Sequence, residues 1–240
     1  MLSRLFLAEA AADLMRVLAQ GARERGRNAA AMDPLISEGW FQLGELCAKG
    51  EVQQWADDCS REYVTLFVGP GIPRLTPCES YYRSGRAYGP HLALVRGFME
   101  KAGLEAAEDA SEPADHISFE FQILQCLIEK QASCEAPDDE AEWLSLQGEF
   151  VRRHLGAWAP RFFEDIANEK PLFFGAFAKI GSGYIAWERS LLKEWGPQAE
   201  EENLVQIRLD RPWEGPLFDP SPPHPERIEQ PLSEEKDSRS

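Results

Sequence analysis

The side chains best suited to acid–base chemistry or charge recognition fall in two short segments. The first is EYVTLFVGPGIPRLTPCESYY, residues 62–82, where an apolar run ends in Leu66-Phe67 and Glu79-Ser80 stand between Pro77 and Tyr81. The second is Glu112-Pro113-Ala114-Asp115-His116, with Glu120 four residues further on. Glu79, Asp115 and His116 could act as general acid and base if folding brought them within hydrogen-bond reach. Asp115, His116 and Glu120 on the first turns of a helix would instead form an anionic patch, suited to pairing with arginine. Both segments also have a purely structural reading. The Gly/Pro-rich stretch can be a long connection whose apolar residues plug the core, and Asp115 can be a helix N-cap with Pro113 before it.

Other chemistries find little support. GPG at 69–71 is not a dinucleotide fingerprint, and no Walker motif, H-E-x-x-H or G-x-S-x-G occurs. The four histidines (91, 116, 154 and 224) are scattered, and no cysteine pair has C-x-x-C spacing, so no metal site is expected. Five cysteines, an odd number, fit reduced thiols better than a disulfide framework. Arg152-Arg153 lies far from the N-terminus and is not an export signal. The expected set is therefore: catalytic residues none, metal none, cofactors none.

The elements that must carry these segments read as helices. Leu7, Leu14, Val17 and Leu18 mark an amphipathic first helix that Ser3 can cap. Asp33-Pro34 reads as N-cap and N1 of a second, which Gly50 ends. Val52, Trp55, Cys59, Tyr63 and Leu66 share one stripe of a third. After the Gly/Pro stretch, Pro90 opens a helix through Phe98 and Met99. The spacing predicts another over about 116–133, one after Pro137, a short one starting at Pro160, and a long one from about Pro171. Gly181-Ser182-Gly183 lies inside the last and is a candidate kink. NLVQIRL, 203–209, is the one plausible strand.

A net charge of -16 repels phosphate backbones, which argues against nucleic-acid binding, and attracts cationic peptides. No stretch approaches the roughly 20 apolar residues that span a bilayer. Glu9 and Asp13 interrupt the N-terminal run, so stable membrane insertion is not expected and the protein should stay where it is made. The fold class expected is all-α, a single-domain helical bundle over 1–196. Residues 197–240, acidic and rich in Pro, read as an extended, largely disordered tail.

Together these segments resemble the TorD/DmsD/NarJ family of redox-enzyme maturation chaperones. Tyr63, Leu66 and Phe67 match its Y-x-x-L-F helix end. Gly69-Pro70-Gly71 and Pro77-x-Glu79-Ser80-x-Tyr82, or Tyr81, look like its loop, and Glu112-Pro113-x-Asp115-His116 with Glu120 match its E-P-x-D-H-x-x-x-E element. His154-Leu155, Trp158, Pro160 and Phe174 resemble its C-terminal half. Cys78 departs from the aromatic residue of some members. The resemblance implies an all-helical cytoplasmic chaperone without catalysis. Its partners would be the catalytic subunit of a molybdenum-containing oxidoreductase and that subunit's twin-arginine leader, bound by a monomer or dimer. It further implies that Tyr63, Leu66, Phe67, Pro77, Glu79, Ser80, Tyr81, Glu112, Asp115, His116 and Glu120 border the client site. Two alternatives stay open: a small acid–base enzyme using Glu79, Asp115 and His116, and a helical adaptor without a groove.

Overall fold

The computed structural model describes residues 1–71, 73–107 and 110–195. The expectations for 197–240 lie outside the described residues. Eleven α-helices occur among the described residues: α1 (Leu2–Leu7), α2 (Ala12–Ala19), α3 (Ala22–Ala29), α4 (Pro34–Leu46), α5 (Val52–Tyr63), α6 (Glu79–Ser84), α7 (Pro90–Lys101), α8 (Ile117–Ala132), α9 (Pro137–Arg153), α10 (Leu155–Asn168) and α11 (Phe173–Trp195). A single π-turn, Val64–Val68, extends α5. Extended pairing among the described residues is limited to one bridge between Cys78 and His116. The described residues are thus all-α, as their apolar periodicity requires. No described helix is long and apolar enough to cross a membrane.

The long helix α11 is the packing centre, lying chiefly against α4 and α10. Two of its glycines make that approach possible. A Cβ on Gly181 would sit 2.4 Å from the Phe163 ring, and one on Gly183 would sit 2.7 Å from Asp33 and 2.8 Å from Ile36. The core is dominated by fully buried phenylalanines, including Phe6, Phe162, Phe163, Phe174 and Phe177. Phe6 meets Phe67, Phe162, Phe163 and Phe174 with ring centroids 5.6–6.0 Å apart. Such edge and tilted contacts add to simple area burial.

Several boundaries differ from the sequence expectation. The first amphipathic stretch, expected as one helix, is two, α1 and α2, because the chain is extended at Ala8 (φ -158, ψ 171); Gly21 at φ 71 then leads into α3. Ser3 lies inside α1 and is buried, so it does not cap it. Asp33 does cap α4, its Oδ1 accepting the Leu35 amide at 2.7 Å. Pro160 sits within α10 and does not start it. The helix begins at Leu155 because that lets Leu155, Trp158 and Ala159 reach the core with Phe162 and Phe163. The end of the Gly/Pro stretch is not a connection but α6, which Gly85 ends at φ 75.

Candidate functional site

The α5 stripe delivers Tyr63, Leu66 and Phe67 to one place. The π-turn rotates the last of these residues, and Gly69 at φ 61 turns the chain away. Leu66 is buried at 3% exposure, and its carbonyl accepts the Leu75 amide at 2.9 Å. Phe67 is half-buried among Phe6, Tyr63, Phe162 and Phe174. Tyr63 is also half-buried, and its hydroxyl donates to the Leu7 carbonyl at 3.3 Å. Just before it, Glu62 accepts the amides of Leu172, Phe173 and Phe174 at 2.7–3.0 Å. That carboxylate satisfies the first free N–H groups of α11 and lies at the positive end of its dipole.

The two motif segments, far apart in sequence, are stitched together. The Glu79 amide donates to the Asp115 carbonyl at 2.8 Å, and the Ile117 amide donates to the Pro77 carbonyl at 2.8 Å. Asp115 Oδ2 accepts the Ser80 amide at 3.0 Å and also the Ser80 hydroxyl. Asp115 is therefore not the N-cap of α8. His116 is, with Nδ1 accepting the Ser118 amide at 3.3 Å and so also accepting the Ser118 hydroxyl at 2.7 Å. Burial lowers the His116 imidazole to about 4, which keeps the ring a neutral acceptor.

A second layer of contacts ties these segments to α9 and α10. Glu79 accepts Arg83 Nη1 on one oxygen at 2.6 Å and His154 Nδ1 on the other at 2.9 Å. Arg83 also donates to the Arg153 carbonyl at 2.8 Å. Glu120 accepts the Trp158 indole N–H at 2.9 and 3.1 Å. Burial, and then the charge of Glu79, raise the Glu120 carboxyl well above the ordinary range. Tyr82, whose phenol is pushed up by burial and by Asp165, packs on Trp158 and Phe162 at 5.4 and 5.8 Å.

The expected anionic surface patch is absent from this arrangement. Glu79, Ser80, Asp115 and Glu120 are 0% exposed and His116 is 5% exposed, because each finds its polar partners inside the protein. Of the eleven site residues expected from sequence, Tyr63, Phe67, Pro77, Tyr81 and Glu112 keep partial exposure. Glu79 hydrogen-bonds to Arg83 and His154, Asp115 to Ser80 and His116 to Ser118. Sequence reasoning did not single out Glu62 or Arg83. Arg83 follows Glu79 by four residues, a spacing that signals an ion pair on a helix face. Glu62 carries no local signal, since its partners lie 110–112 residues away.

Away from this network, an open apolar groove of about 550 Å³ is lined by residues of five helices, among them Leu2, Ile36, Trp40, Phe121, Leu124 and Tyr184. It shares α8 with the motif: the helix that His116 caps carries Phe121 and Leu124 into the groove.

A family model described as nitrate reductase delta subunit matches residues 29–164, more than half of the chain. The chaperone protein TorD of Aliivibrio fischeri is 27% identical over 141 residues, covering 55% of this chain and 66% of that protein. TorD of Vibrio atlanticus is 30% identical over 142 residues, with the same coverages. The chain thus spans just under two thirds of the length of these relatives. Among solved structures, a candidate redox enzyme maturation protein from Archaeoglobus fulgidus is similar at TM-score 0.44 and 18% identity, covering 77% of this chain and 90% of that one.

Proposed function

Because the chain belongs to the nitrate reductase delta subunit family, with TorD chaperones among its relatives, we propose that it is itself a cytoplasmic chaperone. It holds the unfinished catalytic subunit of a molybdenum-containing oxidoreductase, or that subunit's twin-arginine leader, until the cofactor is inserted. It acts by binding and not by catalysis. The observation that carries this reading is the family match, whose span of 29–164 contains both motif segments.

In this reading the motif residues divide the labour. Ser80, Glu79, Asp115, His116 and Glu120 hold the two segments in register from inside. The part-exposed Tyr63, Phe67, Pro77, Tyr81 and Glu112 are left to meet the client. Burial of apolar client residues supplies most of the affinity, at about 25 cal/mol per Å² removed from water. The groove lined by Trp40, Phe121 and Tyr184 gives that stretch an apolar floor. The negative charge of the chain speeds the encounter with a leader bearing two arginines.

The test uses a synthetic leader peptide with an Arg-Arg pair ahead of an apolar stretch, titrated into the full chain by fluorescence anisotropy. Replacing the apolar stretch by serines should abolish binding. Replacing the arginine pair by glutamines should weaken it and flatten its salt dependence. Equal affinity for all three peptides would mean that no leader is recognised.

A further inference from the structure

We propose that residues 204–218 of this same chain fold back onto the apolar groove formed by α1, α3, α4, α8 and α11, and occupy it until a client displaces them. The segment lies outside the described residues. Its docking within the chain is independent of the chaperone reading, whereas its effect on client binding rests on that reading.

The groove is built from helical stripes: Ile36 and Trp40 on α4, Phe121 and Leu124 on α8, and Ile180 and Tyr184 on α11. Its volume of about 550 Å³ suits a few large side chains. Met32, at its edge, is 39% exposed. Open apolar surface of this kind marks a place where another apolar surface docks. The charged side chains in the lining are Arg25 and Glu129. Arg25 is held over the Trp40 ring at 4.9 Å and donates to the Val17 and Leu18 carbonyls.

The chain past α11 can reach this groove. Tyr184 lies eleven residues before Trp195, where α11 ends, or about 16 Å along the helix. Residues 196–203, when extended, span up to about 26 Å. A return over those eight residues therefore brings Leu204 beside Tyr184.

The apolar content past Trp195 is concentrated in this segment. Residues 204–218, LVQIRLDRPWEGPLF, hold seven large apolar side chains, Trp213, Leu217 and Phe218 among them, against Ile228 and Leu232 alone in residues 219–240. Pro212 and Pro216 lower the entropy lost on ordering. Charge also matches. Glu200, Glu201 and Glu202 precede the segment, Glu214 follows Trp213, and Asp219 ends it. Beside the groove, α3 carries Arg23, Arg25 and Arg27 against Glu24, a net positive helix in a chain of net charge -16. A second copy docking through the same patch would bring the cationic α3 of both copies into one interface, like charge facing like. Tethering gives the segment an effective concentration of about 1 mM. A dissociation constant of about 0.1 mM would then keep the groove about nine-tenths filled and weaken leader binding about tenfold.

Hydroxyl-radical footprinting of the full chain, read by mass spectrometry, tests the docking without a client. In the triple variant Trp213→Ser, Leu217→Ser, Phe218→Ser, oxidation of Met32 and Tyr184 should rise by up to about tenfold. Tyr88, 76% exposed and outside the groove, should be unchanged. Asn28→Glu, at an exposed position of the lining, adds repulsion and should raise Met32 oxidation part of the way. Wild-type protection of Met32 should not change on dilution. Unchanged Met32 and Tyr184 oxidation in the triple variant would overturn the docking, and protection lost on dilution would assign the groove to a second copy instead. The leader peptide should bind the triple variant about tenfold more tightly than the wild type. Equal, measurable affinities would overturn the control of client binding. Failure of the leader to bind either form would count against the chaperone reading and leave the docking to the footprint.

Discussion

Asp115 accepts two hydrogen bonds from Ser80, one from its amide at 3.0 Å and one from its hydroxyl, joining segments 35 residues apart in a fully buried site. The other carboxylate oxygen of Asp115 has no hydrogen-bond partner. The group is thus already sparsely satisfied for a buried charge. Ser80→Ala should destabilise the protein by about 1–3 kcal/mol, the cost of stripping a bond from a buried polar group. A shift in the denaturant midpoint at unchanged slope would measure it. No shift would mean that Asp115 holds its place without Ser80.

Glu62 should matter as a cap despite its position on a different helix. Glu62→Ala removes the acceptor of three amides at the start of α11, those of Leu172, Phe173 and Phe174, and should cost about 1–2 kcal/mol. Glu62→Gln keeps one acceptor oxygen and should lose less. Thermal melts of the two variants side by side check the ordering, and equal losses would show that the side chain acts only by packing.

Gly181→Ala should be among the more damaging single-methyl changes. The new Cβ would sit 2.4 Å from a Phe163 ring that is 1% exposed and hemmed in by Phe6, Phe121 and Phe162. Overpacking of this kind costs about 1–3 kcal/mol. Stabilisation by the alanine, through better helix propensity, would show that the ring can yield.

The pH dependence has two limbs. His116 is lowered to about 4 in the folded protein from an ordinary 6.5. Between these values the unfolded chain binds a proton that the folded one does not, so stability falls as pH drops through the window and levels off below it. The loss could reach about 3 kcal/mol, one pKa unit being about 1.4 kcal/mol. His116→Asn keeps an N-cap acceptor and should flatten this acid limb. Glu120 works in the opposite sense. Its raised carboxyl stays protonated in the folded state while the unfolded chain ionises, so its contribution is fully present below about 4.5 and declines as pH rises. A stability profile measured from pH 4 to 9 in His116→Asn and in Glu120→Gln separates the limbs.

Much of the fold was legible because helical periodicity is a local signal. The stripe Trp55, Cys59, Tyr63 and Leu66 and the Asp33-Pro34 start read correctly from neighbours three or four residues apart. The site was legible in membership more than in geometry. Glu79, Asp115 and Glu120 looked like surface acids because carboxylates are rarely fully buried. Their burial depends on Ser80, Arg83, His154 and Trp158, which reach them through tertiary packing that no spacing announces. Asp115 suits an N-cap by its type and place, yet the cap falls one residue on, at His116, because Asp115 is committed to Ser80. Pro160 reads as a helix start, yet burial of Leu155 and Trp158 carries α10 through it.

Affinity capture of the tagged full chain from its native cells, with mass spectrometry of what co-purifies, tests the central claim most directly. The account predicts that the catalytic subunit of a molybdenum-containing oxidoreductase is the principal captured protein, and that Tyr81→Ala, at a part-exposed ring whose one ring contact among the described residues is Tyr82, reduces its yield at unchanged melting temperature. Capture of no such subunit under conditions where the cells make one would contradict the assignment of this chain as its chaperone.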